Sequence, residues 1–350
     1  MKKLLLSCLA QLMTIMASAG HYYWTADGQR QPLMPEGNVC YRIPAVAVAV
    51  DFRNNTTTSF SVDVSQANPN CLYYMDEAGA LPEGLDTTLN LIRGLEAQYV
   101  RVLDTHDYYC PLGFHADFVS FLMRPSYDDA DDERRGRGYS ATLVLPFHVD
   151  HANLYDVNGE SSMLHADMLR LLSYEGHHAD TLYWSYLNSI GQIEAYVPYM
   201  IGVYVGSRVL FMGEDIHVPQ TMEVVVNGEK ICFKGTTIWK ELPAGTYQYD
   251  NSGNAFRYVP SETRIAPFRA YMDMRSKIDN FEVDSEILFF SDDVWGTNGN
   301  PNDAAAISES RISETHYGTR SVNDISGRRV FDHPLPKGIY IVEGRKVVVR

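Results

Sequence analysis

Asp104, His106, Asp107, His115 and Asp117 crowd around Tyr108-Tyr109-Cys110. Carboxylate beside imidazole is the raw material of general acid–base chemistry, in which one group takes a proton and another returns it. Two carboxylates set about 5–10 Å apart at the base of an aromatic-lined cleft would suit glycoside hydrolysis. Asp104, Asp107 and Asp117 are the acids such a reaction would use, whereas the same acids scattered over a convex surface would suit a binding module. No nucleophile stands at a strained turn of the GxSxG type, so no mechanism can be completed. His148-Val149-Asp150-His151 sets two histidines at i and i+3, with His165, His177 and His178 further along. On a helix that spacing can share a metal, but on a strand the two point to opposite faces, and Pro146 disfavours a helix. There is no HExxH, Walker loop or EF-hand, so no catalytic residue, metal ligand or cofactor is assigned. Trp24, Trp184, Trp239 and Trp295 supply rings for stacking on sugars or, equally, for the core of a β-sandwich.

Two shorter motifs fail for want of context. Tyr41-Arg42-Ile43-Pro44 resembles the (F/Y)RIP motif of sialidases, whose arginine grips a substrate carboxylate through bidentate bonds. The Ser-x-Asp-x-Gly-x-Thr-Trp boxes of that fold are absent and no internal repeat is visible, so the motif reads as a strand entry. Gly136-Arg137-Gly138-Tyr139-Ser140-Ala141 matches GxGxxA, yet an acidic and basic run precedes it and a strand follows, the reverse of a dinucleotide site.

Composition bounds the rest. The 350 residues carry 29 Lys+Arg against 44 Asp+Glu, a formal charge of −15. Such an acidic surface repels phosphate backbones and excludes a nucleic-acid partner. Met1-Lys2-Lys3, an apolar stretch to Met16 and Ala17-Ser18-Ala19 have the layout of a secretory leader, cut between Ala19 and Gly20. The apolar stretch is too short to span a bilayer, and Leu6-Ser7-Cys8 sits too early in it for a lipoprotein box. No transmembrane span is expected in the mature chain. Cys40, Cys71, Cys110 and Cys232 remain after cleavage, spaced for no CxxC metal site. Export permits disulfides among them, in any of three complete pairings, and buried free thiols fit as well.

The elements that must carry these residues read as strands. Phe60, Val62 and Val64 alternate with polar residues at a period of two, and Ala141 to Leu145 reads as a buried strand stopped by Pro146. Met222 to Val226 and Glu229 to Lys234 flank Asn227-Gly228, which predicts a hairpin with a two-residue turn on that pair. Met163 to Leu172 fits a helix face on spacing alone. The charged run Asp128–Arg137 predicts a solvated tip, and Gly296 to Asp303 starts a linker.

Six blocks in order then resemble a family of secreted, β-rich Bacteroidales proteins without an assigned activity. They are Asn68-Pro69-Asn70-Cys71-Leu72-Tyr73-Tyr74, Asn90-Leu91-Ile92-Arg93-Gly94, Asp107-Tyr108-Tyr109-Cys110-Pro111, Thr142-Leu143-Val144-Leu145-Pro146-Phe147, Ala195-Tyr196-Val197-Pro198-Tyr199-Met200-Ile201 and Pro267-Phe268-Arg269-Ala270-Tyr271. The resemblance covers roughly residues 60–275 and implies that Met168-Leu169-Arg170-Leu171-Leu172-Ser173 is a strand. Asp324-Ile325-Ser326-Gly327-Arg328-Arg329-Val330 and the apolar runs 337–342 and 344–349 form a short ending similar to the much longer C-terminal sorting domains of type IX secretion.

The expected fold is all-β: a leader at 1–19, an N-terminal strand-rich region at 20–110, a β-sandwich at 111–290, a linker at 291–321 and a small sorting-like hairpin unit at 322–350. The expected function is that of an exported, non-enzymatic module at the cell surface, outer membrane or outside the cell. It would serve adhesion, envelope structure or glycan contact, with a glycan or a host or cell-surface protein as partner besides the export machinery. The alternative is a carbohydrate-active hydrolase using the acids near Asp104–Asp117.

Overall fold

The computed structural model describes residues 20–37, 40–53, 59–86, 90–123, 139–155, 161–163, 169–178, 181–187, 189–203, 208–223, 225–227, 231–250, 255–274, 287–288, 322–324, 338–342 and 345–349. The first strands are β1 (Tyr22–Thr25), β2 (Arg30–Pro32), β3 (Cys40–Arg42), β4 (Ala47–Asp51), β5 (Ser61–Asp63), β6 (Leu72–Met75) and β7 (Asn90–Arg93). Next come β8 (Glu96–Leu103), β9 (Phe114–Met123), β10 (Tyr139–Val144), β11 (His151–Tyr155), β12 (Ser161–Met163), β13 (Leu169–His178), β14 (Thr181–Tyr186), β15 (Pro198–Val203) and β16 (Arg208–Val218). The remainder are β17 (Val225–Asn227), β18 (Ile231–Thr236), β19 (Lys240–Leu242), β20 (Thr246–Asp250), β21 (Ala255–Tyr258), β22 (Thr263–Ile265), β23 (Arg269–Met274) and β24 (Ile287–Leu288), then β25 (Val322–Asp324), β26 (Gly338–Val342) and β27 (Arg345–Val349). One turn of 3-10 helix, Ile190–Gln192, is the helical element among the described residues, and no helix there is long and apolar enough to cross a membrane.

The sandwich has three layers. A ten-stranded sheet runs β12-β11-β16-β9-β8-β7-β6-β4-β1-β2, a four-stranded sheet runs β10-β15-β13-β14, and a six-stranded sheet runs β17-β18-β23-β20-β21-β24. The four-stranded sheet lies in the middle, and period-two alternation sorts its side chains to both neighbours. Ala141, Leu143, Leu171, Tyr199 and Ile201 join Phe121, Val209 and Phe211 of the ten-stranded sheet in one core. Val144, Leu172, Tyr174 and Met200 join Phe233, Tyr247, Phe256 and Met272 of the six-stranded sheet in another. A strand buried on both faces must be apolar at nearly every position, which is why 141–145 reads as a continuous run. Thr142 is its one polar residue, and its hydroxyl accepts a 2.8 Å hydrogen bond from the Ala270 amide.

The segment of uncertain spacing follows the strand reading. Leu169–His178 is β13, and Leu171 pairs with Ile201. The β17–β18 hairpin also forms, but its register pairs Asn227 with Cys232. Asn227 therefore belongs to the strand rather than to a two-residue turn, and Gly228 lies outside the described residues. The Asp128–Arg137 run and the 291–321 linker also lie outside them. The tail forms a three-stranded sheet, β25-β26-β27, in place of a bare hairpin, and Val342 pairs with Arg345 across Glu343-Gly344.

The N-terminal strands wind as a short coil that the sequence does not announce. β4, β6 and β7 pair in parallel, as do β3 and β5, and a further bridge joins Ser61 to Glu83. Cys40, Ser61 and Glu83 thus stack in one row, with rungs of 21 and then 22 residues (40 to 61 to 83). Inside the coil Ile43, Val62 and Leu85 face Val50, Phe52, Tyr73 and Met75. The opposite faces of β4, β6 and β7 place Ala49, Leu72, Tyr74 and Ile92 in the larger core. The division expected after residue 110 falls inside the ten-stranded sheet, because β8 and β9 pair in parallel from Glu96↔His115 to Leu103↔Leu122.

Gly84 closes the last rung. It has φ +93°, and a Cβ there would lie 1.9 Å from the Val62 carbonyl oxygen, which the backbone cannot yield. Gly84→Ala should cost at least about 2 kcal/mol of stability, through the left-handed conformation and the clash together. Urea denaturation checks this; a variant as stable as the parent would mean that the rungs are not packed as described.

Candidate functional site

The acid–imidazole patch of the sequence splits into two places. At the end of β8 the chain enters the loop Asp104–Gly113, and here the acids are used for construction. The Asp104 side chain is fully buried and its Oδ2 accepts from Arg269 Nη2 at 2.8 Å, while Oδ1 accepts from the Thr105 amide at 2.9 Å. Asp107 Oδ1 accepts from the Trp239 amide at 2.5 Å, and the Trp239 indole donates to the Thr105 carbonyl at 3.0 Å. Tyr108 and Thr237 exchange two bonds, and Cys110 and Thr221 exchange two more, amide to hydroxyl and amide to carbonyl. The loop is therefore bonded along its length to the segments that lead into and through the six-stranded sheet.

Asparagines anchor the other side of this loop. β8 turns back from β7 through Gly94 and Leu95, both with positive φ, and pairs with it in backbone register at Arg93↔Glu96 alone. The Asn90 side chain donates to the Arg101 carbonyl and accepts the Arg101 amide, standing in for a neighbouring strand. Asn70, fully buried, does the same for Leu103 and also donates to the His106 carbonyl. Each buried peptide group left unpaired would cost about 1–3 kcal/mol, so these amides are structural. Phe268, next to Arg269, has φ +61° and turns its ring into the first core, 4.8 Å from Phe121.

The second place is the outer face of the ten-stranded sheet. His115 bridges Glu96 and Asp215, its Nδ1 and Nε2 each 3.2 Å from a carboxylate oxygen. Asp117 is exposed on the same face of β9. At this level three neighbouring strands lose their alternation together: Gln98 and Tyr99 on β8, Asp117 and Phe118 on β9, and Glu214 and Asp215 on β16 are all consecutive exposed pairs. The flanking Ala97 and Val100, Ala116 and Val119, and Ile216 all point into the core. Asp215 takes up the irregularity at φ +52°, in a region that Asp tolerates better than most residues. Because the break is matched on every strand, the register survives, with Tyr99 beside Phe118 and Phe118 beside Glu214.

The result is a pair of exposed rings on adjacent strands. Tyr99 is 46% and Phe118 50% exposed, high for aromatic side chains in a sheet. The Tyr99 hydroxyl meets Ser120 Oγ at 2.7 Å, which fixes its ring over the sheet. Glu96, Asp117, Glu214 and Asp215 surround the pair, and His151 Nε2 lies 3.6 Å from Glu214. This arrangement can stack on an apolar or sugar face and accept hydrogen bonds from hydroxyl or amino groups.

The remaining sequence candidates fall elsewhere. Arg42 is exposed and ion-paired to Glu36 and Asp63, so it does not await a substrate carboxylate. Tyr41 packs edge-on to His21 and Phe60. His148 lies near Asp150 and His151 near Glu214, and no group of metal-ligating side chains exists among the described residues. His177 and His178 lie on β13, while His165 is outside the described residues. Trp24, Trp184 and Trp239 sit on β1, β14 and the lead-in to β19, so the three described tryptophans form no common platform, and Trp295 is outside the described residues. Cys40, Cys71, Cys110 and Cys232 are all free thiols. Burial pushes Cys71 up to about 12 and Cys110 up to about 11, which keeps both protonated and unreactive.

No family model matches the chain, nor does any curated protein or solved structure.

Removing one partner of a buried ion pair costs about 3–5 kcal/mol, because the other charge is stranded. Arg269→Met should therefore lower stability by roughly that amount, and the double variant Asp104→Asn/Arg269→Met should recover a substantial part of it. Equal losses in the single and double variants, measured by chemical denaturation, would remove the pair from this structural role.

Proposed function

We propose that this chain is an exported, non-enzymatic surface module that contacts glycans through the outer face around Tyr99 and Phe118. The observation that carries the reading is the pair of exposed rings on adjacent strands, ringed by carboxylates and imidazoles. Aromatic faces stack on the C–H faces of sugars, and side chains already aligned by a sheet lose little entropy on binding. Half-exposed rings on an outer sheet face suit contact more than turnover, since hydrolysis needs water excluded and two acids facing one bond.

The hydrolase reading draws less support from the same residues. Asp104 is sealed against Arg269, Asp107 is engaged by Trp239, and Asp117 lies apart from both on the exposed outer face. The leader with its Ala19–Gly20 junction argues for export, and the tail from Val322 argues for handling by a sorting machinery at the cell surface.

The test is binding of the secreted chain to a glycan array, followed by titration of the best ligand. The Tyr99→Ala/Phe118→Ala variant should lose at least about tenfold in affinity, as about 1.4 kcal/mol of lost stacking implies. Its melting temperature should stay within a few degrees of the parent, because both rings are half exposed. Undiminished glycan binding by this variant would move the site elsewhere.

A further inference from the structure

The protein itself shows what its aromatic faces attract. Arg30 lies 3.6 Å from the Tyr22 ring centroid and also over Trp24, Arg264 lies 5.0 Å from that of Trp239, and Lys240 lies 5.5 Å from that of Tyr271. Each of these aromatic faces is occupied by a cation of the same chain. Among the described residues no such cation lies over Tyr99 or Phe118, the two most exposed rings of the ten-stranded sheet. The charge around them is of the opposite kind. Glu96, Asp117, Glu214 and Asp215, with the Asp150 carboxylate that accepts the Glu214 amide, give five carboxylates against the two guanidiniums of Arg101 and of Arg93, the strand partner of Glu96.

We infer that this face selects glycans bearing free amines, that is, amino sugars that are not N-acetylated, over neutral and acidic sugars. The inference rests on the glycan-contact reading and names its ligand class. Two elements of recognition coincide here. An ammonium group over an aromatic face is attracted to the ring quadrupole, and a ring of carboxylates strengthens that attraction while giving the N–H donors acceptors. Tyr99 and Phe118 sit on neighbouring strands, about 4.8 Å apart in the sheet direction, so one sugar ring can stack while its amine reaches a flanking acid. Sulfated, sialylated or uronic sugars would instead meet mostly like charge, which specificity exploits as readily as attraction.

The experiment is calorimetric titration of the secreted chain at neutral pH with four probes: a glucosamine oligosaccharide, its fully N-acetylated counterpart, a uronic-acid oligosaccharide and an oligolysine peptide. The glucosamine oligomer should bind about tenfold or more tighter than the acetylated one, in keeping with a cation–π contact reinforced by charge, and its affinity should fall with added salt. The variant Glu96→Gln/Asp117→Asn/Glu214→Gln should erase most of that preference and keep binding of the acetylated oligomer. Equal or tighter binding of the acetylated or uronic oligomer would overturn the inference and leave glycan contact standing. Oligolysine bound as tightly as the sugar would overturn it in favour of a basic-peptide surface. Failure of every sugar to bind would overturn both readings.

Discussion

A carboxylate sealed inside a protein must find a cation, and Asp104 finds Arg269 from a different sheet. Asp104 ends a strand of the ten-stranded sheet, and Arg269 begins a strand of the six-stranded one. These are the two outer layers of the stack, kept apart elsewhere by the four-stranded sheet. The ion pair therefore closes the stack at one end, and the residues beside it complete the seal. Phe268 sends its ring into the first core while its carbonyl accepts the Val144 amide of the middle sheet. Tyr108, Tyr196 and Tyr74 gather around Cys110 with their hydroxyls held far from ionisation by burial. An environment this dry strengthens each hydrogen bond in it and makes each loss costly.

That constraint explains how one acidic stretch of sequence serves two ends. Residues up to Cys110 are consumed by the junction, whereas His115 and Asp117, a few residues on, stand on an exposed face. Gly113 marks the passage, where a Cβ would come within 3.2 Å of the His217 ring and the Val218 carbonyl. The rigid junction in turn holds β8 and β9 side by side, and the outer face inherits its shape from them. Recognition residues placed on strands rather than loops are already in position before a ligand arrives.

Much of the fold was legible because the period of two is written into the residues. The middle sheet shows it best: 141–145 is apolar but for Thr142, as burial on both faces requires, while 169–173 is strand as the resemblance implies, although its spacing alone fits a helix. The coil was not legible, because its rungs share backbone direction while Cys40, Ser61 and Glu83, which stack together, share no chemistry. The Asn227-Gly228 turn misled because the cross-strand pairing of Val226 with Phe233 fixes a register in which Asn227 is already strand. For the candidate site, sequence named His115, Asp117 and His151 and missed Glu96, Glu214, Asp215 and both rings. The signal lay in the spacing: Ala97, Val100 and Val102 step by three and then by two, which sets Gln98 and Tyr99 outward together. The same slip in β9 strands Phe118 outside, and only the pairing of the two strands shows that the slips coincide.

The central claim is that recognition belongs to the outer sheet face and that the Asp104–Cys110 segment is structural. Hydrogen exchange of the intact secreted chain, followed with and without a saturating glucosamine oligosaccharide, separates the two directly. The account predicts slower exchange on binding at 96–101, 117–120 and 214–217, and no change at 103–110, where the Leu103, Thr105, Tyr108 and Cys110 amides are already hydrogen-bonded. Protection gained chiefly at 103–110, with the outer face unaffected, would contradict it and return the acids of that loop to the chemistry of a bound sugar.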